Sequence, residues 1–316
     1  MRWSRILLAT LLAFAASARA EYPDKPIRFI VPFAPGGGAD SLARAVASGM
    51  SIVLKQTVVV ETKPGGDAMI GTAFVATAPP DGYTILFGSN TGMSGAPYLH
   101  KNVSYDPVKD FTPVSLMGTF PYFLVVSNDL PVKSMRELVD YARAHPGKLS
   151  YASGNAMGII ATGQLVAQEK LDMVHVPYKG EAPAMPDLFS NRVQMIFNTG
   201  FAIPHVKAGR VRAIAAVNDE RNDALPDVPT VAESGFAYLS LRGWAGIFGP
   251  PGMPPGITQK LSNAVNESLK MQMVKDQLAV QGFPGKGSTP AELGAITKMQ
   301  LESWGRAVKA AGIQPD

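Results

Sequence analysis

The stretch "IRFIVPFAPGGGADSLARAVASGM", residues 27–50, decides the fold class. Its apolar first half reads as a buried strand that ends at Pro32-Phe33. Three glycines, Gly36 to Gly38, follow, and Leu42, Ala43, Val46, Ala47 and Met50 then recur at helical spacing. Strand, glycine turn and amphipathic helix make the first half of a βα unit. The pattern continues with "TVVVE" (57–61), short and β-branched as a buried parallel strand should be. The turn "KPGGDAMIG" (63–71) leads to the helix-like "TAFVATA", stopped by Pro79-Pro80, and "YTILFGS" (83–89) is a third strand. This βαβαβ order specifies a doubly wound α/β unit with parallel strands.

A second copy of the pattern follows. "YFLVVS" (122–127), "LSYAS" (149–153), "MVHVPY" (173–178), "VQMIFN" (193–198) and "VRAIAAV" (211–217) are strand candidates, with helical periodicity in "SMRELVDYARAHPG" and "APAMPDLFSNR" between them. The segment "WAGIFGPPGMPPG" (244–256) reads as a strand followed by Pro/Gly punctuation. Two amphipathic helices come next, near 257–271 and 290–312. The expected fold is α/β, with two doubly wound lobes and a central ligand cleft. Lobe I is expected to comprise 21–120 and 240–316, and lobe II 121–239. Ligands of open α/β sheets bind outside the carboxyl ends of strands, and two lobes can close over one.

The first twenty residues belong to a different problem. Arg2 and Arg5 precede an apolar run from Ile6 to Ala16, and Ala18-Arg19-Ala20 has the small-x-small form of a cleavage site. This is the pattern of a secretory signal peptide, and the run falls short of the ~20 residues a membrane anchor needs. Its removal takes three arginines and no acid, so the formal charge falls from +4 to +1. The apparent basicity therefore gives no argument for nucleic acid or a membrane surface. Cysteine is absent, and a chain of this size needs no disulfides to build its core. Export also removes the chain from the cytoplasm's nucleotide supply, which argues against kinases and dehydrogenases.

The loop "APGGGAD" suits an anion, because glycines let backbone N–H groups approach a ligand and the next helix begins with partial positive charge. It is not a dinucleotide fingerprint, since Gly36-x-Gly38 is followed three positions on by Ser41, and it lacks the Gly-Lys-Ser/Thr ending of a P-loop. The loops "GSNTG" (88–92) and "ASGNAMG" (152–158) also follow strands and are built from small polar residues. Three such loops can converge on one cleft and hold a carboxylate without a buried lysine. Catalysis finds less support. No Gly-x-Ser-x-Gly elbow occurs, and His100, His145, His175 and His205 show no metal-ligand spacing. The expectation is no catalytic residue, no metal and no cofactor. An exported hydrolase, with a serine and one of these histidines meeting in space, is the least favoured alternative.

Six blocks carry a wider resemblance: "YPDKPIRFIVPFAPGGGAD", "DGYTILFGS", "YDPVKDFTPVSLM", "VHVPYKGEAPAMPDL", "ALPDVPTVAESGF" and "PPGMPPGITQKLSNAV". In this order and spacing the chain resembles the Bug-type solute-binding proteins of tripartite tricarboxylate transporters. The resemblance implies a two-lobed, Venus-flytrap-type periplasmic binding protein. Such a receptor captures a small organic acid and hands it to the transporter's membrane subunits. A sensing role with a sensor kinase as partner is the alternative, and a monomer is expected. It further implies first-lobe contacts at Phe33, Ala34, Gly37, Gly38, Asp40, Ser89, Asn90 and Thr91. The second-lobe candidates are Ser153, Gly154, Asn155, Ala156, Met157, Tyr178, Asn198 and Thr199. The chain departs from the family pattern where Met93, Ala96, Ile160, Gln164 and Asn198 stand in place of His, Asn, His, Glu and Asp, and Ala156 in place of Gly. These exchanges remove titratable groups and imply a less polar ligand than citrate.

Overall fold

The computed structural model describes residues 22–315 apart from 219, 240 and 241. The segment read as a signal peptide lies outside the described residues. The strands, in chain order, are β1 (Ile27–Val31), β2 (Val58–Thr62), β3 (Thr84–Ser89), β4 (Thr112–Phe120), β5 (Tyr122–Ser127), β6 (Leu149–Ser153), β7 (Met173–Pro177), β8 (Met195–Thr199), β9 (Val211–Ala216) and β10 (Gly243–Gly249). They form two five-stranded sheets, in the orders β2-β1-β3-β10-β4 and β7-β6-β8-β5-β9.

Each sheet has a parallel part and an antiparallel part. β1 runs parallel to β2 and β3, and β6 runs parallel to β7 and β8. These strands obey the βαβ rule read from the sequence. β10 is antiparallel to β3 and β4, and β5 is antiparallel to β8 and β9. The mixed character follows from the route of the chain. It leaves the first sheet at Phe120, passes Pro121, and enters the second at Tyr122. It returns only at Gly243, so β10 enters beside β3 and β4 already in place, while β5, the first strand of the second sheet, is met from the opposite sense by β8 and β9.

The helices are α1 (Gly38–Leu54), α2 (Met69–Ala76), α3 (Ala96–Leu99), α4 (Met135–Ala144), α5 (Ala156–Glu169), α6 (Glu181–Phe189), α7 (Ile203–Lys207), α8 (Pro255–Ser268), α9 (Gln272–Ala279) and α10 (Pro290–Ala310). In α1 the periodic residues Leu42, Ala43, Val46, Ala47 and Met50 form the buried face. α8 and α9 pack against α1, and α10 packs on β4, so the C-terminal helices return to the first sheet. α10 opens with a capping box, in which Thr289 and Glu292 each satisfy a backbone N–H of the other, and Pro290 takes the first helical position.

The two sheets share packing as well as chain. One continuous core contains Phe29 and Phe87 of the first sheet, Leu124 and Phe197 of the second, and Met157 and Ile160 of α5. A π-helical turn, Thr91–Gly95, bridges β3 to α3 and meets both α10 and α5. Gly95 is required there: a Cβ on it would stand 2.5 Å from the Ala156 Cβ and 3.2 Å from the Trp304 ring.

Candidate functional site

Five of the parallel strands, β1, β3, β6, β7 and β8, end at one place. β1 runs into the loop that opens α1, and β3 into Asn90 and the π turn. β6 runs into the Gly154-Asn155 turn that opens α5, β7 into the Gly180 turn that opens α6, and β8 ends at Thr199. Between them lies a cleft of about 440 Å³. Its first-sheet wall consists of Phe33, Ala34, Gly37, Gly38, Ala39, Ser89, Asn90 and Thr91. Gly154, Asn155, Gly180, Glu181, Ala182 and Thr199 form the facing wall, and Phe120 and Tyr122 sit where the chain crosses. Gly154 and Gly180 are in backbone contact, since a Cβ on Gly154 would come within 2.5 Å of the Gly180 carbonyl carbon.

The walls are rich in donors. α1 begins at Gly38 after the N-cap Gly37, which has no side chain to cap it, and Gly37, Gly38 and Ala39 of this start line the cleft. Ser89 Oγ and Asn90 Nδ2 are buried and have no hydrogen-bond partner, although the Asn90 amide lies near the Tyr122 hydroxyl. Asn90 Oδ1 is held by the Trp244 N–H at 3.1 Å, which fixes the amide so that its NH₂ is presented. Asn155 caps α5 through Oδ1, accepting from Gly158 N–H at 3.0 Å. No lysine, arginine or histidine lines the cleft among the described residues.

One acid does line it, and sequence reasoning missed it. Glu181, the first residue of α6, is buried and accepts three hydrogen bonds. Asn155 Nδ2 donates at 2.9 Å and Thr199 N–H at 2.8 Å to Oε1, and the Thr199 hydroxyl donates to Oε2 at 2.5 Å. Burial pushes its carboxyl up to about 7, against the three donors, which favour the charged form. The same burial raises the Tyr122 hydroxyl well above its ordinary value, and the Glu181 charge adds to that shift.

Ten of the residues named from sequence thus meet in the cleft: Phe33, Ala34, Gly37, Gly38, Ser89, Asn90, Thr91, Gly154, Asn155 and Thr199. The other six are placed elsewhere. Asp40 folds back on its own loop, accepting from Gly36 N–H at 2.9 Å and pairing with Arg44. Ser153 Oγ stands 2.6 Å from His175 Nε2, whose ring stacks on Tyr151. Ala156 and Met157 are buried in α5, Ala156 under the π turn. The Asn198 amide donates to the Met185 sulfur at 3.4 Å and is wholly buried. Tyr178 lines an adjoining groove of about 750 Å³ that shares Phe33 and Gly154 with the cleft, and its hydroxyl donates to Asp187 at 2.6 Å. Phe120 and Tyr122 were also missed as cleft residues: Tyr122 was read only as the start of a strand, and Phe120 lay outside any predicted element.

Two sheets whose strand ends and helix N-termini share one donor-rich cleft define a two-lobed solute-binding protein. The chain belongs to the tripartite tricarboxylate transporter family of receptors (TctC), whose family model matches residues 42–313. Similar solved structures agree. The periplasmic binding protein BugD is 33% identical, with a TM-score of 0.89, over 93% of this chain and 100% of that one. Rpa4515 of R. palustris, solved with adipate, is 30% identical, with a TM-score of 0.90, over 94% of this chain and all of that one. MatC (Rpa3494) from Rhodopseudomonas palustris, solved with bound malate, is 29% identical, with a TM-score of 0.87, over 91% of this chain and all of that one.

Proposed function

We propose that this protein is a periplasmic receptor that binds a small organic carboxylate between its lobes, unaltered, and delivers it to the membrane subunits of a tripartite tricarboxylate-type transporter. The observation that carries this reading is the convergence of donors on the cleft: the N-terminus of α1 without a side-chain cap, the unpaired Ser89 Oγ, the Asn90 NH₂ aimed into it, and no basic residue in the lining among the described residues. A carboxylate held by such donors needs no buried cation. The adipate and malate bound to the two related proteins support the ligand class.

A hydrolytic reading has one point of contact, the Ser153–His175 pair. Neither residue lines the cleft, and the His175 imidazole is shifted down by burial rather than charged by a bonded carboxylate. The pair fits a structural tie between β6 and β7, which are parallel neighbours. Native mass spectrometry of protein purified from its periplasmic fraction tests the proposal. The expected result is a 1:1 complex with an acid that is released intact on denaturation. A captured molecule that is turned over, or a protein that binds no acid in a broad carboxylate screen, overturns it.

A further inference from the structure

The two walls of the cleft differ in what their polar groups already hold. On the second-sheet wall the Asn155 amide and both donors of Thr199 are given to Glu181. On the first-sheet wall the buried Ser89 Oγ has no partner, and the buried Asn90 NH₂ has only the nearby Tyr122 hydroxyl and no anion. A buried polar group left without an acceptor is costly, so it is the first wall that gains by meeting an anion. The second wall already has one in the chain itself.

We infer that Glu181 is a built-in carboxylate occupying the anion position of the second lobe, so that the cleft accepts a monocarboxylic acid and rejects a dicarboxylic one. The ligand's single carboxylate takes the Ser89–Asn90 side and the α1 N-terminus. Its uncharged body lies against Phe33, Phe120 and Tyr122, the large side chains of the lining. A second ligand carboxylate would have to sit beside Glu181 in a site without a cation, or displace it and strand its charge in the core. Both are costly at low dielectric. This inference rests on the reading of the cleft as an organic-acid site.

The test uses matched acids of equal chain length, measured by isothermal titration at pH 8, where Glu181 is largely ionised. Tyr122, the titratable side chain that faces Glu181, stays neutral there. The probes are straight-chain monoacids of four to eight carbons with their diacid counterparts, hexanoate against adipate among them, together with benzoate against terephthalate. Expected is at least a tenfold preference for the monoacid of each binding pair in the wild type. E181Q should reduce that preference at least tenfold, since it removes the charge and keeps the shape. E181A, the second variant, returns the Asn155 and Thr199 donors to the cleft and should bind the diacids tighter than the wild type does. Wild type that prefers the diacids, or a preference unchanged in both variants, overturns the inference and leaves the receptor reading intact. Failure of every acid to bind wild type and both variants would overturn the receptor reading itself.

Discussion

Glu181 ties the stability of the ligand-free protein to pH. Burial raises its carboxyl from 4.5 to about 7, so the folded state holds this proton more tightly than the unfolded chain does. The sign follows from linkage: the contribution is fully present below about 4.5 and is lost as pH rises through about 7. At 1.36 kcal/mol per pH unit the span amounts to ~3 kcal/mol. Urea unfolding at pH 5 and pH 8 should show the wild type losing about that much more than E181Q, whose amide does not titrate. A wild-type loss equal to that of E181Q would show that Glu181 is not protonated in the folded protein. The residue also marks the limit of sequence reading at this scale. In "VPYKGEAPAMPDL" a glutamate after Lys-Gly looks like a solvated loop residue. Its environment is set by Thr199, eighteen positions on, and by Asn155, twenty-six back, and no local pattern reports such separations. Asp40 shows the converse. An acid at a helix start looks available to a ligand, yet the Gly36 N–H and Arg44 already claim it.

Among the elements, the parallel strands and the helices that follow them were legible because their residues repeat the βα pattern locally. But for Arg28, Ile27–Val31 is apolar and buried, and α1 keeps its buried stripe. β4 and α9 were not legible. β4 begins Thr112-Pro113, and the proline argues against a central strand. The strand forms because β4 lies at the sheet edge, pairing only with β10. The eight residues of α9, Gln272–Ala279, bury only Val274 and Leu278, too few to set a period. The π turn at Thr91–Gly95 was invisible for a related reason: its cause is the close approach of Ala156 and Trp304, not any preference of "TGMSG". Gly95 has a φ of −86°, which any residue adopts, so Gly95→Ala adds only a methyl group. That methyl needs room where Ala156 Cβ would be 2.5 Å away. Overpacking of this kind costs ~1–3 kcal/mol. Guanidinium unfolding of Gly95→Ala should show a loss in that range, and a variant as stable as the wild type would mean the π turn and α5 separate without cost.

At the scale of the whole molecule, the two-sheet architecture raises the question of whether the lobes are independent bodies. The chain crosses between the sheets through Pro121 and again between Ala216 and Gly243, and two crossings alone would permit independent folding. The packing argues otherwise. The largest hydrophobic core runs from Phe87 of the first sheet to Phe197 of the second, with Trp304 of α10 buried at the contact of the π turn with α5. Apolar burial across that contact is lost if either lobe unfolds alone, and at ~25 cal/mol per Å² even a modest shared area couples the two. Differential scanning calorimetry of the ligand-free protein should therefore give one transition, with calorimetric and van't Hoff enthalpies in agreement. A ligand that contacts both walls must then raise that single transition, by ~2.7 kcal/mol at one hundred times its dissociation constant. Two resolved transitions, only one of them moved by ligand, would show instead that the cleft lies between bodies that fold separately and that one wall binds alone. A single transition that shifts as a whole ties binding to the same shared packing that holds the lobes together, and makes Trp304 and Gly95 as much a part of the receptor's response as the residues that touch the ligand.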